Sequence, residues 1–202
     1  LTYNPPSYQK YILNLLIDEA NRVAAELRLP ERLPISETNL IDSYVTPPLL
    51  ARGFRALGNI STINYSYYVS VGYRFSSLVK QGLQRDYLSF QMEYKWPISQ
   101  LDTNAAYQLA TQFLTAVRID VDRLNCDCAL QIDAPMPQGK KGKRFVPLYW
   151  VYWVPKRFQA DGCIASIELF LPKHLLLQMH ISRAEYILRE PLVATNADLD
   201  FP

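Results

Sequence analysis

Residues Phe145 to Pro155 read FVPLYWVYWVP, eleven positions without a charge and with nothing more polar than tyrosine. A strand with one face in water alternates apolar and polar side chains. This run does not alternate. Val146, Leu148, Trp150, Tyr152 and Val154 form one face, and Phe145, Tyr149, Val151 and Trp153 form the other. Both faces are apolar, so the strand is expected in the middle of its sheet, with one face on a helix predicted over 103–117. Three things could cover the second face: the first half of the same chain, a ligand or partner protein in a groove, or a second copy of the chain. Burying one tryptophan face contributes about 2–3 kcal/mol, which argues against leaving several of them in water.

The flanking sequence supports a sheet. Strands are expected at 129–134, 165–171 and 175–181, the last two joined by a turn at Pro172, Lys173 and His174. Asp102 or Thr103 should cap the 103–117 helix, whose apolar face is Ala106, Leu109, Ala110, Phe113, Leu114 and Val117. Asp120 to Asp127 reads as a turn.

The first half repeats this order. A helix is predicted from Tyr8 to Leu29, capped by Ser7, with Tyr8, Ile12, Leu15, Leu16, Ala20, Val23, Ala24 and Leu27 on one broad stripe. A short strand is expected at 39–46 and a helical turn at 49–57. The stretch 61–70 (STINYSYYVS) alternates, with Ile63, Tyr65, Tyr67 and Val69 on one side, and pairs with 73–79 through a turn at Gly72. Residues 87–96 (YLSFQMEYKW) alternate as well and read as a further strand. The expected organisation is two helix-plus-sheet units, 1–98 and 99–202, in an α+β fold.

Composition narrows function by exclusion. A formal net charge of +2 gives no reason to expect nucleic acid as a partner. No run approaches the roughly 18 apolar residues of a membrane-spanning helix, so no integral membrane segment is expected. The three cysteines cannot all pair with one another, and Cys126-Asp-Cys128 is not the spacing of a redox or zinc motif. They read as free or structural thiols, with one bridge from Cys163 to Cys126 or Cys128 as the alternative, and neither a metal site nor a cofactor is expected. The chain begins Leu-Thr-Tyr without a methionine, which is read as a processed product whose leader could have been removed.

Two segments carry a family resemblance. Residues 165–180 (ASIELFLPKHLLLQMH) look like the closing hairpin of cystatin-like and PepSY-like units, and 102–110 (DTNAAYQLA) looks like their helix start. The resemblance covers 100–181 well and 8–96 loosely. It implies two cystatin-like units packed together, each a curled antiparallel sheet around one helix. The whole chain also resembles a group of exported bacterial proteins that carries no activity to borrow. That likeness implies a periplasmic or extracellular location.

Candidate site residues follow from the aromatic run and its neighbours. Trp150, Tyr152, Tyr149 and Trp153, flanked by Asp133 and Glu168, could stack on sugars or grip a peptide. Asp133 and Glu168 could share a face on strands either side of the run, about 5–10 Å apart, the range used by paired carboxylates in glycoside cleavage. Lys140, Lys141, Lys143 and Arg144 form the one basic cluster, a solvated loop or an anion contact. No catalytic residue is assigned. The expected function is a non-enzymatic binding or inhibitor-like protein that engages a protein or polysaccharide partner through a sheet face or hairpin loops. The alternative is a carbohydrate-active hydrolase using Asp133 and Glu168.

Overall fold

The computed structural model describes residues 5–48, 56–70, 74–133, 144–156, 162–182 and 186. The protein is α+β, with helices packed on antiparallel sheet. The chain divides into two compact units at Gln81/Gly82.

In the first unit, helix α1 (Pro6–Glu26) is followed by β1 (Asp42–Val45), β2 (Ala56–Ser61), β3 (Tyr65–Ser70) and β4 (Arg74–Lys80). Each strand pairs antiparallel with the next in sequence order. The start of α1 lies two residues earlier than a Ser7 cap allows. Pro5 is the N-cap and Pro6 opens the helix, where a missing N–H costs nothing because that donor would have no intrahelical partner. The stripe predicted from the sequence is buried at Tyr8, Ile12, Leu16, Ala20, Val23 and Ala24. It meets Ile60, Tyr67, Val69, Phe75 and Leu78 of the sheet, all buried. The opposite sheet face carries Asn59, Ser61, Ser66, Tyr68 and Ser77, and the Ser61 and Ser66 hydroxyls share a hydrogen bond of 2.7 Å.

Two further expectations fail in this unit. Ala56 and Leu57, expected in a helical turn, open strand β2, while 49–55 lie outside the described residues. Gly58 sits at a β-bulge with φ +154°, and this irregularity hides the alternation of β2. Ile63 belongs to the β2–β3 turn and is exposed, so it does not share the buried face of Tyr65 and Tyr67. The Gly72 turn is outside the described residues.

The second unit contains α2 (Leu83–Glu93), β5 (Trp96–Pro97), α3 (Thr103–Ala116), α4 (Val121–Asp127), β6 (Cys128–Asp133), β7 (Arg144–Phe145), β8 (Leu148–Pro155), β9 (Ala165–Phe170) and β10 (Leu175–Ile181). Its sheet runs β6-β8-β9-β10, antiparallel throughout, and β5 pairs with β7 in a separate ribbon. The aromatic strand β8 therefore has a neighbour on each edge, as its two apolar faces require. Tyr149, Val151 and Trp153 lie with Ile167, Leu169 and Met179 in the core, on the side where α3 packs. Asp102 caps α3 by accepting the Ala105 N–H at 2.8 Å, and its own N–H donates to the Tyr149 hydroxyl at 3.1 Å.

Two elements of this unit differ from the sequence reading. Residues 83–93 are helix, not strand. The apparent alternation of Leu88, Phe90 and Met92 is coincidental, since Leu88 is 58% and Met92 74% exposed and only Phe90 is buried. The packed residues are Leu83, Tyr87, Phe90 and Tyr94, spaced 4, 3 and 4 as one helical face demands. Residues 121–127 are a short helix rather than a turn, with Asp120 accepting the Arg123 N–H at 2.9 Å.

Candidate functional site

The register of the second sheet fixes which side chains share a face, because directly paired residues point the same way. Asp133 pairs with Trp150, and Trp150 pairs with Glu168. Gln131 pairs with Tyr152, and Tyr152 with Ser166. On β10, Gln178 stands opposite Glu168 and His180 opposite Ser166. These residues form the face turned away from α3. Asp133 and Glu168 thus flank Trp150, separated by two strand spacings, roughly 10 Å.

One end of this face is covered. Helix α2 lays Phe90 flat on Phe170, with ring centroids 3.9 Å apart and planes 7° from parallel. Tyr94 meets the same Phe170 edge-on at 4.9 Å. Leu148, Leu175, Leu177 and Val146 complete this cluster. At its margin Glu168 is only 5% exposed. The Tyr87 hydroxyl donates to it, 2.6 Å from each carboxylate oxygen. Burial, followed by the hydrogen bond to Glu168 and its charge, raises the Tyr87 pKa, so Tyr87 stays the donor. Gln178 bonds the same hydroxyl.

The other end is open. Trp150 is 44% exposed, and Asp133, Gln131 and His180 are exposed beside it. The Tyr152 hydroxyl donates to Asp133 Oδ2 at 2.8 Å. That bond raises the Tyr152 pKa, with lesser contributions from burial and from the Asp133 charge. His180 keeps an exposed surface, but partial burial of its ring pushes the imidazole below its ordinary value.

The candidate residues separate into three groups. Trp150, Tyr152, Asp133 and Glu168 share the face just described. Tyr149 and Trp153 do not: both are fully buried on the α3 side. Trp153 Nε1 donates to Asn125 Oδ1 at 2.9 Å, and Asn125 Nδ2 donates to the Tyr107 hydroxyl at 2.9 Å. Both aromatics are core side chains tying β8 to the helices, beyond the reach of a ligand. Of the basic cluster, Lys140, Lys141 and Lys143 lie outside the described residues, and Arg144 is exposed on β7, paired with Pro97.

Tyr87 and Gln178 were absent from the sequence reading of the site. The spacing of Leu83, Tyr87, Phe90 and Tyr94 was the available signal for Tyr87. No disulfide joins Cys126, Cys128 and Cys163. Among the described residues no group of three or more His, Cys, Asp or Glu could hold a metal ion. Among them also, no helix is long and apolar enough to cross a membrane. In the first unit, an open groove of about 460 Å³ runs between α1 and β1, lined by Gln9, Lys10, Leu13, Glu37 and Ser43 among others. Compared with known protein families, with curated proteins and with solved structures, the chain matches none.

Proposed function

We propose that the protein is a non-enzymatic binding module that engages a protein or polysaccharide partner through the open half of its second sheet. One observation carries this reading. Trp150 stands 44% exposed between two acidic positions in register with it. A half-open indole keeps apolar area that contact with a partner would bury to advantage. Tyrosine and tryptophan suit such a surface because each offers an apolar ring with a polar tip.

The setting of Glu168 bears on the hydrolase alternative. A general acid must reach the scissile bond. Glu168 is buried under Tyr87, and both its oxygens are engaged. Its geometry fits a fastening of α2 to the sheet better than proton transfer to a substrate. The resemblance to cystatin-like units is compatible with the binding reading, as is the export that the whole-chain resemblance implies.

The test is to apply the chain to arrays of oligosaccharides and of extended peptides, beside a Trp150→Ala variant whose urea midpoint stays near that of the parent. Binding on either array that disappears with Trp150→Ala supports the reading. Binding that survives the substitution, or no binding on either array, overturns it.

A further inference from the structure

Resting on the binding reading above, we infer that the occupant of the open face is a neutral polysaccharide, with one sugar ring stacked on Trp150 and its hydroxyls held by Asp133 and Gln131. The argument is one of matching chemistry. A sugar ring has a flat face of C–H groups rimmed by hydroxyls. The sheet presents the complement: one half-open indole with hydrogen-bonding groups on the neighbouring strands. Asp133 and Gln131 lie to one side on β6, and Tyr152 follows two residues along the same strand as Trp150.

Asp133 is held ready. Tyr152 donates to Oδ2 at 2.8 Å, which fixes the carboxylate beside the indole. The carboxylate is exposed, so Oδ1 can accept from ligand hydroxyls. A charged acceptor makes the stronger kind of hydrogen bond. A carboxylate oriented before the ligand arrives loses less freedom on binding.

Charge and area point away from other occupants. The charged strand positions described on this face, Asp133 and Glu168, are both acidic, which disfavours a uronic-acid chain, a phosphate polymer or nucleic acid. A protein partner would need a contiguous apolar centre in its contact. Here the large apolar side chains next to Trp150, Leu148 and Phe170, are partly or fully covered by α2, and the exposed remainder is mostly polar.

The experiment is affinity electrophoresis and tryptophan-fluorescence titration with soluble neutral hexasaccharides (β-glucan, mannan and N-acetylglucosamine series), with hexagalacturonate as the acidic counterpart. At least one neutral hexamer should bind, and hexagalacturonate should bind more weakly. Trp150→Ala should weaken binding by about tenfold or more, and Trp150→Phe by less. Asp133→Asn should weaken it about three- to tenfold, because the charge is lost and the shape kept. Trp96→Phe, away from this face on β5, should leave affinity unchanged. Failure of every neutral hexamer, preference for the acidic one, or full affinity in Trp150→Ala overturns the inference. If peptides, and not sugars, bind in a Trp150-dependent manner, the polysaccharide falls while the binding face stands. If neither binds, both fall.

Discussion

Helices α1 and α3 end in the same way, in two units whose sheets are built differently. At the end of α1, Arg28 takes φ +51°, its N–H bonds the Ala25 carbonyl, and the Leu29 N–H bonds that of Ala24. At the end of α3, Arg118 takes φ +60°, its N–H bonds the Thr115 carbonyl, and the Ile119 N–H bonds that of Leu114. Both are the paired 5→2 and 6→1 closure, with arginine where glycine is usual. Aligned on these arginines, Ala20 falls on Ala110 and Leu27 on Val117. Glu19, however, falls on Leu109, each nine positions before its arginine.

That one difference separates the two cores. Glu19 is 3% exposed, yet charged. It is bound by Arg22, which also reaches Glu26 at 2.6 Å, and it accepts the backbone N–H of Phe75 at 2.9 Å. Phe75 lies next to a register irregularity of β3 and β4. The carboxylate satisfies a donor that an irregular ladder leaves over. A second carboxylate, Glu31, accepts from Thr62 at 2.6 Å, Tyr67 at 2.9 Å and Asn64 at 3.1 Å. The first unit is thus fastened by one buried acid, Glu19, and one half-buried acid, Glu31, in a unit whose outer sheet face is polar. In the second unit Leu109 only packs, and helix α2 covers part of an aromatic outer face. Here the acid, Glu168, lies between α2 and that outer face, not under α3.

Exchanging the two residues tests the comparison most severely. Leu109→Glu should cost about 3–5 kcal/mol, since the new charge has no arginine one turn on; Gln112 stands where Arg22 does. Urea unfolding measures it, and a loss below about 1 kcal/mol would show that the two cores tolerate charge alike. Glu19→Leu should cost less, about 1–3 kcal/mol, by leaving the Phe75 N–H unsatisfied. No loss there would remove the structural role given to Glu19.

Much of this arrangement could be read from the sequence, and what escaped has physical causes. The inner position of β8 followed from its two apolar faces, and Asp102 announced the start of α3. Helix α2 was misread because Leu88 and Met92, exposed in the structure, imitate a period of two. Strand β2 was hidden by the bulge at Gly58. The closures at Arg28 and Arg118 gave no glycine signal. At the site, the sequence allowed Asp133 and Glu168 a shared face, and the register sets Trp150 between them; the sequence could not say which face of β8 stays open. That depends on where α2 and α3 pack, and so Tyr149 and Trp153 were wrongly included.

Tyrosines give each unit a titration test. Burial first, and then the Glu31 charge and hydrogen bond, raise the Tyr67 pKa; burial first, and then Glu168, raise that of Tyr87. Folding holds protons that the unfolded chain releases near pH 10. Their contribution is therefore complete below about pH 10 and is lost as pH rises beyond it. Tyr67→Phe and Tyr87→Phe should each flatten the alkaline fall in stability, and each should cost about 1–3 kcal/mol at pH 7 by removing a donor to a carboxylate. An unchanged alkaline slope in either variant would show that its phenol titrates alike folded and unfolded.

The smallest effects should be gains. Arg28→Gly and Arg118→Gly relieve a left-handed residue and should each stabilise by about 0.4–1 kcal/mol in thermal melts. A gain at one site only would mean that the two closures are not equivalent.

The hydroxyl of Tyr149 takes the N–H of Asp102 across 47 residues of chain. A polypeptide leaving the ribosome exposes 103–116 well before residue 149. Through that interval the capping residue of α3 lacks its distant acceptor. That bond therefore closes only once the strand has been made, and water can take the Asp102 N–H until then.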